Sequence, residues 1–321
     1  MPSYSGVWTL VAQFQAVGQG LWPQPPLTGN YAFFFGGTAS NVIAYTSITT
    51  LGNALDFGDL RIKQSNLAAC SSATRGIISG FNYTGTNSNV IEKISLQFLG
   101  DSTDFGDLTR ASQWGTAACS NGTRGVLTLG YDSVPAATNV MEYVTIATEG
   151  NATDFGDLLN ADTLIAAGCA STTRGVIAGG GLGTILNVIQ YITIASAGNS
   201  TDFGDLPQKT NGLAGFSSST RGIFGGGDQG GAASYVNVIN YITIASVGNA
   251  IDFGDLTVGR RYLAGASSTT RGLFAGGDSG LNCNVIDYIT IASAGNATDF
   301  GDLINAANNG YSGVSNCHGG L

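Results

Sequence analysis

The sequence predicts an all-β fold, a β-propeller of six four-stranded blades. Three observations carry this. Asp-Phe-Gly-Asp-Leu occurs six times, beginning at Asp56, Asp104, Asp154, Asp202, Asp252 and Asp299, in steps of 47–50 residues. Asn-Val-Ile or Asn-Val-Met opens at Asn41, Asn89, Asn139, Asn187, Asn237 and Asn284, and Thr-Arg-Gly recurs with Arg75, Arg124, Arg174, Arg221 and Arg271. The apolar runs within each unit are short, rich in β-branched and aromatic residues, and bounded by Gly, Ser or Asn. That is the pattern of strands, not helices. A period near fifty with four strands per unit describes a blade that must stack on its neighbours to bury its apolar face.

Residues 1–29 stand apart from the repeats. Val7, Leu10, Val11, Phe14, Val17 and Leu21 fall at helical spacing behind Ser3 or Ser5 as a cap. Gln13, Gln15 and Gln19 line the other side, and Pro23, Pro25 and Pro26 impose an extended linker. With Trp8 and Trp22, these apolar residues form the candidate anchoring set. A short amphipathic helix outside a closed ring needs a cover. It can fold back on the ring or dock on a partner.

The propeller then occupies residues 30–321. Tyr31–Gly37 reads as a second strand without a first, and Gly310–Asn316 as a first strand without a second. The C-terminal strand is therefore expected to complete the first blade, which removes two sheet edges. The unit from residue 212 shows the internal order. Strand a is Leu213–Ser217, the turn is Ser218–Arg221, and strand b is Gly222–Gly226. Strand c is Asn237–Ala245 and strand d is Ala250–Leu256.

Variation concentrates in the b–c loops: Thr38–Ser40, Asn82–Ser88, Tyr131–Thr138, Gly181–Leu186, Asp228–Val236 and Asp278–Cys283. In an up-and-down blade the b–c and d–a connections share one face, and the a–b and c–d connections share the other. One face is thus repetitive and the other individual. Function gathers in loops on a rigid scaffold, which makes Phe81, Asn82, Tyr83, Tyr131, Asp132, Asp228, Gln229, Tyr235 and Asp278 the candidate partner- or ligand-binding residues. The aromatics among them can stack on sugar rings. Arg61, Arg110, Arg260 and Arg261 are expected to rim the same face.

Composition excludes other classes. A net charge of −9, with only 12 Lys and Arg, offers no basic patch for nucleic acid. Twelve of the 21 acidic residues lie in the Asp-Phe-Gly-Asp-Leu copies. This predicts an Asp of one turn near an Arg of the next, pairs contributing about 0–1 kcal/mol each when exposed. The single histidine, His318, sits at the chain end, so no catalytic triad, metal or cofactor is expected. The Asp pairs, such as Asp202 and Asp205, could bind calcium, but turn-shaping is the preferred reading. Asn-X-Thr sequences such as that at Asn151 read as turns.

Cys70, Cys119 and Cys169 share a strand-a position where later copies carry Phe216, Ala266 and Val314. They are expected to be buried thiols, too far apart for disulfides. Cys283 and Cys317 have no assigned role. No apolar run reaches the length of a membrane span, and the absence of a basic residue before Arg61 argues against a secretion signal.

The unit resembles the kelch repeat. A double glycine ends its second strand at Gly36-Gly37, Gly179-Gly180, Gly226-Gly227 and Gly276-Gly277, and an aromatic sits in its third at Tyr45, Tyr191, Tyr241 and Tyr288. Gly80-Phe81 and Leu129-Gly130 depart from the pattern, and Phe57 and its equivalents stand where that family carries tryptophan. The resemblance implies a kelch-like propeller and says little about activity. The segment SGVWTLVAQFQAVGQGLWP is similar to the N-terminal part of structural proteins of marine tailed phages. The NVIDYITIASAGNATDFGDL type of repeat resembles repeat proteins of cyanophages. These likenesses imply a non-enzymatic virion protein, associated with a tail or fibre and exposed on the particle. Residues 1–29 would dock to other virion proteins, and the b–c face would meet a host surface glycan or protein. A structural adaptor or capsid decoration protein is the alternative. A glycan-active enzyme is a third reading, for which that face offers few carboxylates: Asp132, Asp228 and Asp278.

Overall fold

A computed structural model describes residues 26–317, apart from 38–39, 83–87, 113–114, 131–136, 162, 182, 232–233 and 308–309. The anchoring residues Val7, Trp8, Leu10, Val11, Phe14, Val17, Leu21 and Trp22 lie outside the described residues. Six four-stranded antiparallel sheets form the fold. Blade 5 shows the unit: strand a Ala214–Ser217, b Arg221–Gly225, c Val238–Thr243 and d Ile251–Asp255. Blades 2, 3, 4 and 6 repeat this order over residues 64–112, 115–157, 167–205 and 264–307. Blade 1 takes b, c and d from Tyr31–Gly36, Val42–Ser47 and Leu55–Asp59, and strand a from Tyr311–Ser315. Phe34 sits opposite Gly313 in that pairing, so the chain closes its ring as the two fragmentary repeats predict.

The six inner strands a pack side by side around the axis. Glycine permits this approach. A Cβ on Gly215 would stand 2.5 Å from the Gly168 carbonyl oxygen, and one on Gly265 equally close to that of Gly215. The axial space is consequently only about 90 Å³. Serine hydroxyls stitch neighbouring inner strands: Ser120 Oγ donates to the Ser71 carbonyl at 2.7 Å and Ser71 Oγ to that of Ser315 at 2.9 Å.

The core lies between blades. The phenylalanine of each Asp-Phe-Gly-Asp-Leu copy is 1–3% exposed. In blades 1, 3, 4, 5 and 6 it meets the strand-c tyrosine edge-on, at centroid distances of 5.7–6.1 Å. Such pairs add about 0.5–1.5 kcal/mol beyond the area they bury. Cys70, Cys119 and Cys169 are buried, as their apolar equivalents predict. Burial pushes the Cys119 thiol up to about 12, so it packs as a small apolar group.

Candidate functional site: the individual face of the ring

The residues that repeat most faithfully build the seams between blades. At the seam of blades 2 and 3, the Gly150 N–H donates to the Phe105 carbonyl at 3.0 Å and the Ala152 N–H to the Asp107 carbonyl at 2.8 Å. Asn151 Oδ1 accepts from the Asp107 N–H at 3.1 Å. The same three bonds recur at the other five seams, with Asp101 in place of asparagine between blades 1 and 2. The motif glycine makes room for them. Gly156 has φ +137°, and a Cβ there would fall 2.6 Å from the backbone of Gly198 in the next blade. Strand d bulges at the preceding phenylalanine, where the register with strand c slips between Met141 and Glu142. The Asn-X-Thr asparagine is therefore a clamp between blades, a tighter role than the turn its sequence predicts.

The Thr-Arg-Gly arginines do not pair with these aspartates, contrary to the charge-pairing expectation. Each reaches across the seam to backbone carbonyls of the next c–d loop. Arg124 donates to Ile194 O at 3.0 Å, Arg174 to Ile244 O and Arg221 to Ile291 O, both at 2.8 Å. Arg75 and Arg271 each reach two such carbonyls. Four of these guanidinium groups also lie over the strand-c tyrosine of their own blade, 4.3–4.7 Å from its centroid. Blade 1 carries Tyr31 in place of arginine. There the Leu27 N–H supplies the donor, bonding Gln97 O at 2.7 Å.

On the opposite face the contacts differ from seam to seam. Arg261 gathers three of the predicted site residues. Its Nη1 pairs with Asp228 Oδ2 at 2.6 Å and its Nε with Asp278 Oδ2 at 3.2 Å. The guanidinium also covers the rings of Tyr235 and Tyr262 at 4.9 and 4.7 Å. Asp228 Oδ1 accepts from the Gly230 N–H at 2.8 Å and from the Ser234 hydroxyl, while Asp278 Oδ1 accepts from the Gly280 N–H at 2.9 Å. Both aspartates are at most 9% exposed, so they shape the loop roots. Burial opposes ionisation of Asp228, but Ser234, Gly230 and Arg261 together hold its carboxyl below the usual range.

The other candidates are dispersed. Gln229 lines a cavity between blades 4 and 5. Phe81 and Asn82 end strand b of blade 2, and nothing is described of their side chains. Tyr83, Tyr131 and Asp132 lie outside the described residues. Of the predicted rim arginines, Arg61 is exposed and pairs with Asp104 at 2.8 Å. Arg260 is a correction: it is fully buried and pairs with the equally buried Asp287 at 2.9 Å, because its d–a loop turns the side chain into the seam of blades 5 and 6.

That seam belongs to a set that sequence reasoning missed. The residue after Asn-Val-Ile or Asn-Val-Met on strand c is Ala44, Glu92, Glu142, Gln190, Asn240 and Asp287 in the six blades. Glu92, Glu142, Gln190 and Asp287 are buried and accept the backbone N–H that follows the preceding blade's Asp-Phe-Gly-Asp-Leu: Arg61, Thr109, Leu159 and Thr257. A polar residue recurring inside an otherwise apolar strand was the available signal. Desolvation raises the pKa of Glu92 despite donors from Ser102, Arg61 and Gln64.

Among the described residues, no group of three or more His, Cys, Asp or Glu could hold a metal ion. Nor is any helix long and apolar enough to cross a membrane. No protein-family model matches the chain, and no curated protein matches it.

Proposed function

We propose that this protein is a non-enzymatic appendage of a virus particle, mounted through residues 1–29, with its individual face turned to a host surface glycan or protein. One observation carries the recognition part. The residues that repeat are engaged in seams, and the side chains that differ between copies collect where the b–c and d–a loops emerge. The virion part is supported by the likeness of residues 5–23 to phage structural proteins. Weak single contacts would suffice on a particle carrying many copies, since avidity can exceed affinity by about 10²–10⁴.

The test is binding of the purified chain to intact candidate host cells and to a glycan array. A variant in which residues 229–233 are exchanged for an unrelated loop is run beside it, with Asp228, Ser234 and Tyr235 kept. Saturable binding that the exchange abolishes, with thermal stability unchanged, supports the reading. Binding that survives the exchange moves recognition off this loop.

A structural adaptor is the second reading, favoured by Leu51, Leu55, Val247 and Ile251, which are 58–61% exposed along the c–d loops and strand d. Absence of binding to every host surface, with these side chains protected in the assembled particle, would establish it.

A further inference from the structure

The six seams of the ring are internal comparisons of one another, and the seam between blades 4 and 5 lacks what two of its counterparts, between blades 5 and 6 and between blades 1 and 2, contain. Between blades 5 and 6 the Arg260 guanidinium fills the space. It pairs with Asp287 and donates from Nη2 to the Phe274 carbonyl at 3.2 Å. Between blades 1 and 2 the same place is taken by Gln64, whose Nε2 donates to Glu92 Oε1 at 2.9 Å. Nearer the surface of that seam, Arg61 sits on Asp104, the first aspartate of the motif.

The backbone bridges of Asn211 with Asp228 and of Arg261 with Asp278 align the two loops. Thr210 therefore stands where Arg260 does, and Pro207 stands at the Arg61 position. Strand register aligns Asn240 with Asp287 and Phe224 with Phe274. Both cationic positions are thus empty of cations, while the acceptors remain. The result is a cavity of about 220 Å³ lined by Pro207, Thr210, Phe224, Gln229, Asn240 and Asp252. Asn240 Oδ1 is buried there without a hydrogen-bond partner. A buried acceptor left unpaired is costly, and a donor entering the cavity would recover that cost. Asp252 is exposed at the strand position of Asp104 and has no ion pair with a described residue. Lys209 is exposed and is not among the lining residues.

We propose that the seam between blades 4 and 5 is a receptor for a guanidinium group, presented on an arginine side chain of a partner protein. A planar donor set fits because it bonds two acceptors at once, the Asn240 amide oxygen and the Phe224 carbonyl, while its charge faces Asp252. The flat Phe224 and Pro207 surfaces suit the apolar stem. The volume lies below the roughly 300–1,000 Å³ of a drug-sized site, which matches a side chain and not a whole cofactor. This inference stands apart from the host-surface reading, since it needs neither a virion nor a glycan.

The experiment is an NMR titration of the full chain, following the Asn240 side-chain amide and the Thr210 backbone amide. The probes are ethylguanidinium, its neutral analogue ethylurea, N-acetyl-arginine amide and free arginine. Saturable shifts with ethylguanidinium at a dissociation constant of about 1–10 mM, and none with ethylurea, are expected. Thr210→Arg, which fills the cavity from within, abolishes them. Asp252→Asn changes an exposed residue and leaves the fold intact, so it remains informative if T210R fails to fold. It weakens binding about tenfold, the size of one charge-assisted hydrogen bond. N-acetyl-arginine amide, which resembles a residue within a chain, binds at least as tightly as free arginine. Absence of saturation with ethylguanidinium, equal binding of ethylurea, or indifference to both substitutions would overturn the site. Clear preference for free arginine would overturn the partner-protein source.

Discussion

The two faces of this ring are made differently. On the a–b and c–d face, six seams repeat one set of backbone bonds, the glycine of each motif receiving the loop of the next blade. On the b–c and d–a face the seams differ: one holds Gln64 with Glu92, another Arg260 with Asp287, and a third a cavity beside Asn240. The difference teaches that likeness among copies marks interlocking, while divergence marks the places where interlocking leaves chemistry free. It also shows that divergence reaches below the surface, because the strand-c residues that differ are mostly buried.

Three substitutions test this comparison, the largest effect first. Arg260→Ala should break it from the individual side. Removing one partner of a fully buried pair leaves Asp287 uncompensated, at a cost of about 3–5 kcal/mol, read from urea unfolding at pH 7. A cost under about 1 kcal/mol would mean that the individual face is individual only at its rim.

Gly156→Ala strikes the repetitive side. A Cβ 2.6 Å from the Gly198 backbone, at φ +137°, forces the seam apart, and about 2–4 kcal/mol should be lost. The same change at Gly52, where no atom lies within 4 Å of the added carbon, carries only the backbone strain of φ +155° and should cost less. Equal losses would show that backbone strain, not the seam, sets the requirement for glycine.

Asp228→Asn sharpens the comparison through pH. The folded carboxyl titrates below its ordinary value. Its stabilisation is therefore complete above the ordinary aspartate pKa and is lost as pH falls through the lowered one. The variant should be about 1–2 kcal/mol less stable at pH 7. The gap should narrow below about pH 4, as followed by thermal melts across pH 3–7. A gap independent of pH would show that Asp228 acts through shape alone.

Much of the architecture was legible because it is local. The four strands, the turns and the closure by Gly310–Asn316 follow from runs of five to nine residues whose pattern recurs. What escaped notice lies across seams. Arg174 and the carbonyl of Ile244 are 70 positions apart, more than one repeat, so no single unit shows them together. The aspartates looked like natural partners for those arginines, yet the strand they occupy is bound through its backbone. Asp228 and Asp278 lie in the b–c loops that follow strands b of blades 5 and 6. Their binding to Arg261 could not be read, because it joins two b–c loops through a d–a loop.

The Tyr31 N–H and the Asn316 amide oxygen are hydrogen-bonded across 285 positions. A row of stacked repeats has end units, which can peel away and leave the others standing. This ring has none, since its first blade is shared between the two extremities of the fold. Loss of any one blade bares two seams at once, so partial opening is penalised on both sides. The pairing that closes the circle joins residues of very large sequence separation, which makes it slow to form. For a ring closed in this way, the height of the unfolding barrier is expected to matter for persistence as much as equilibrium stability does.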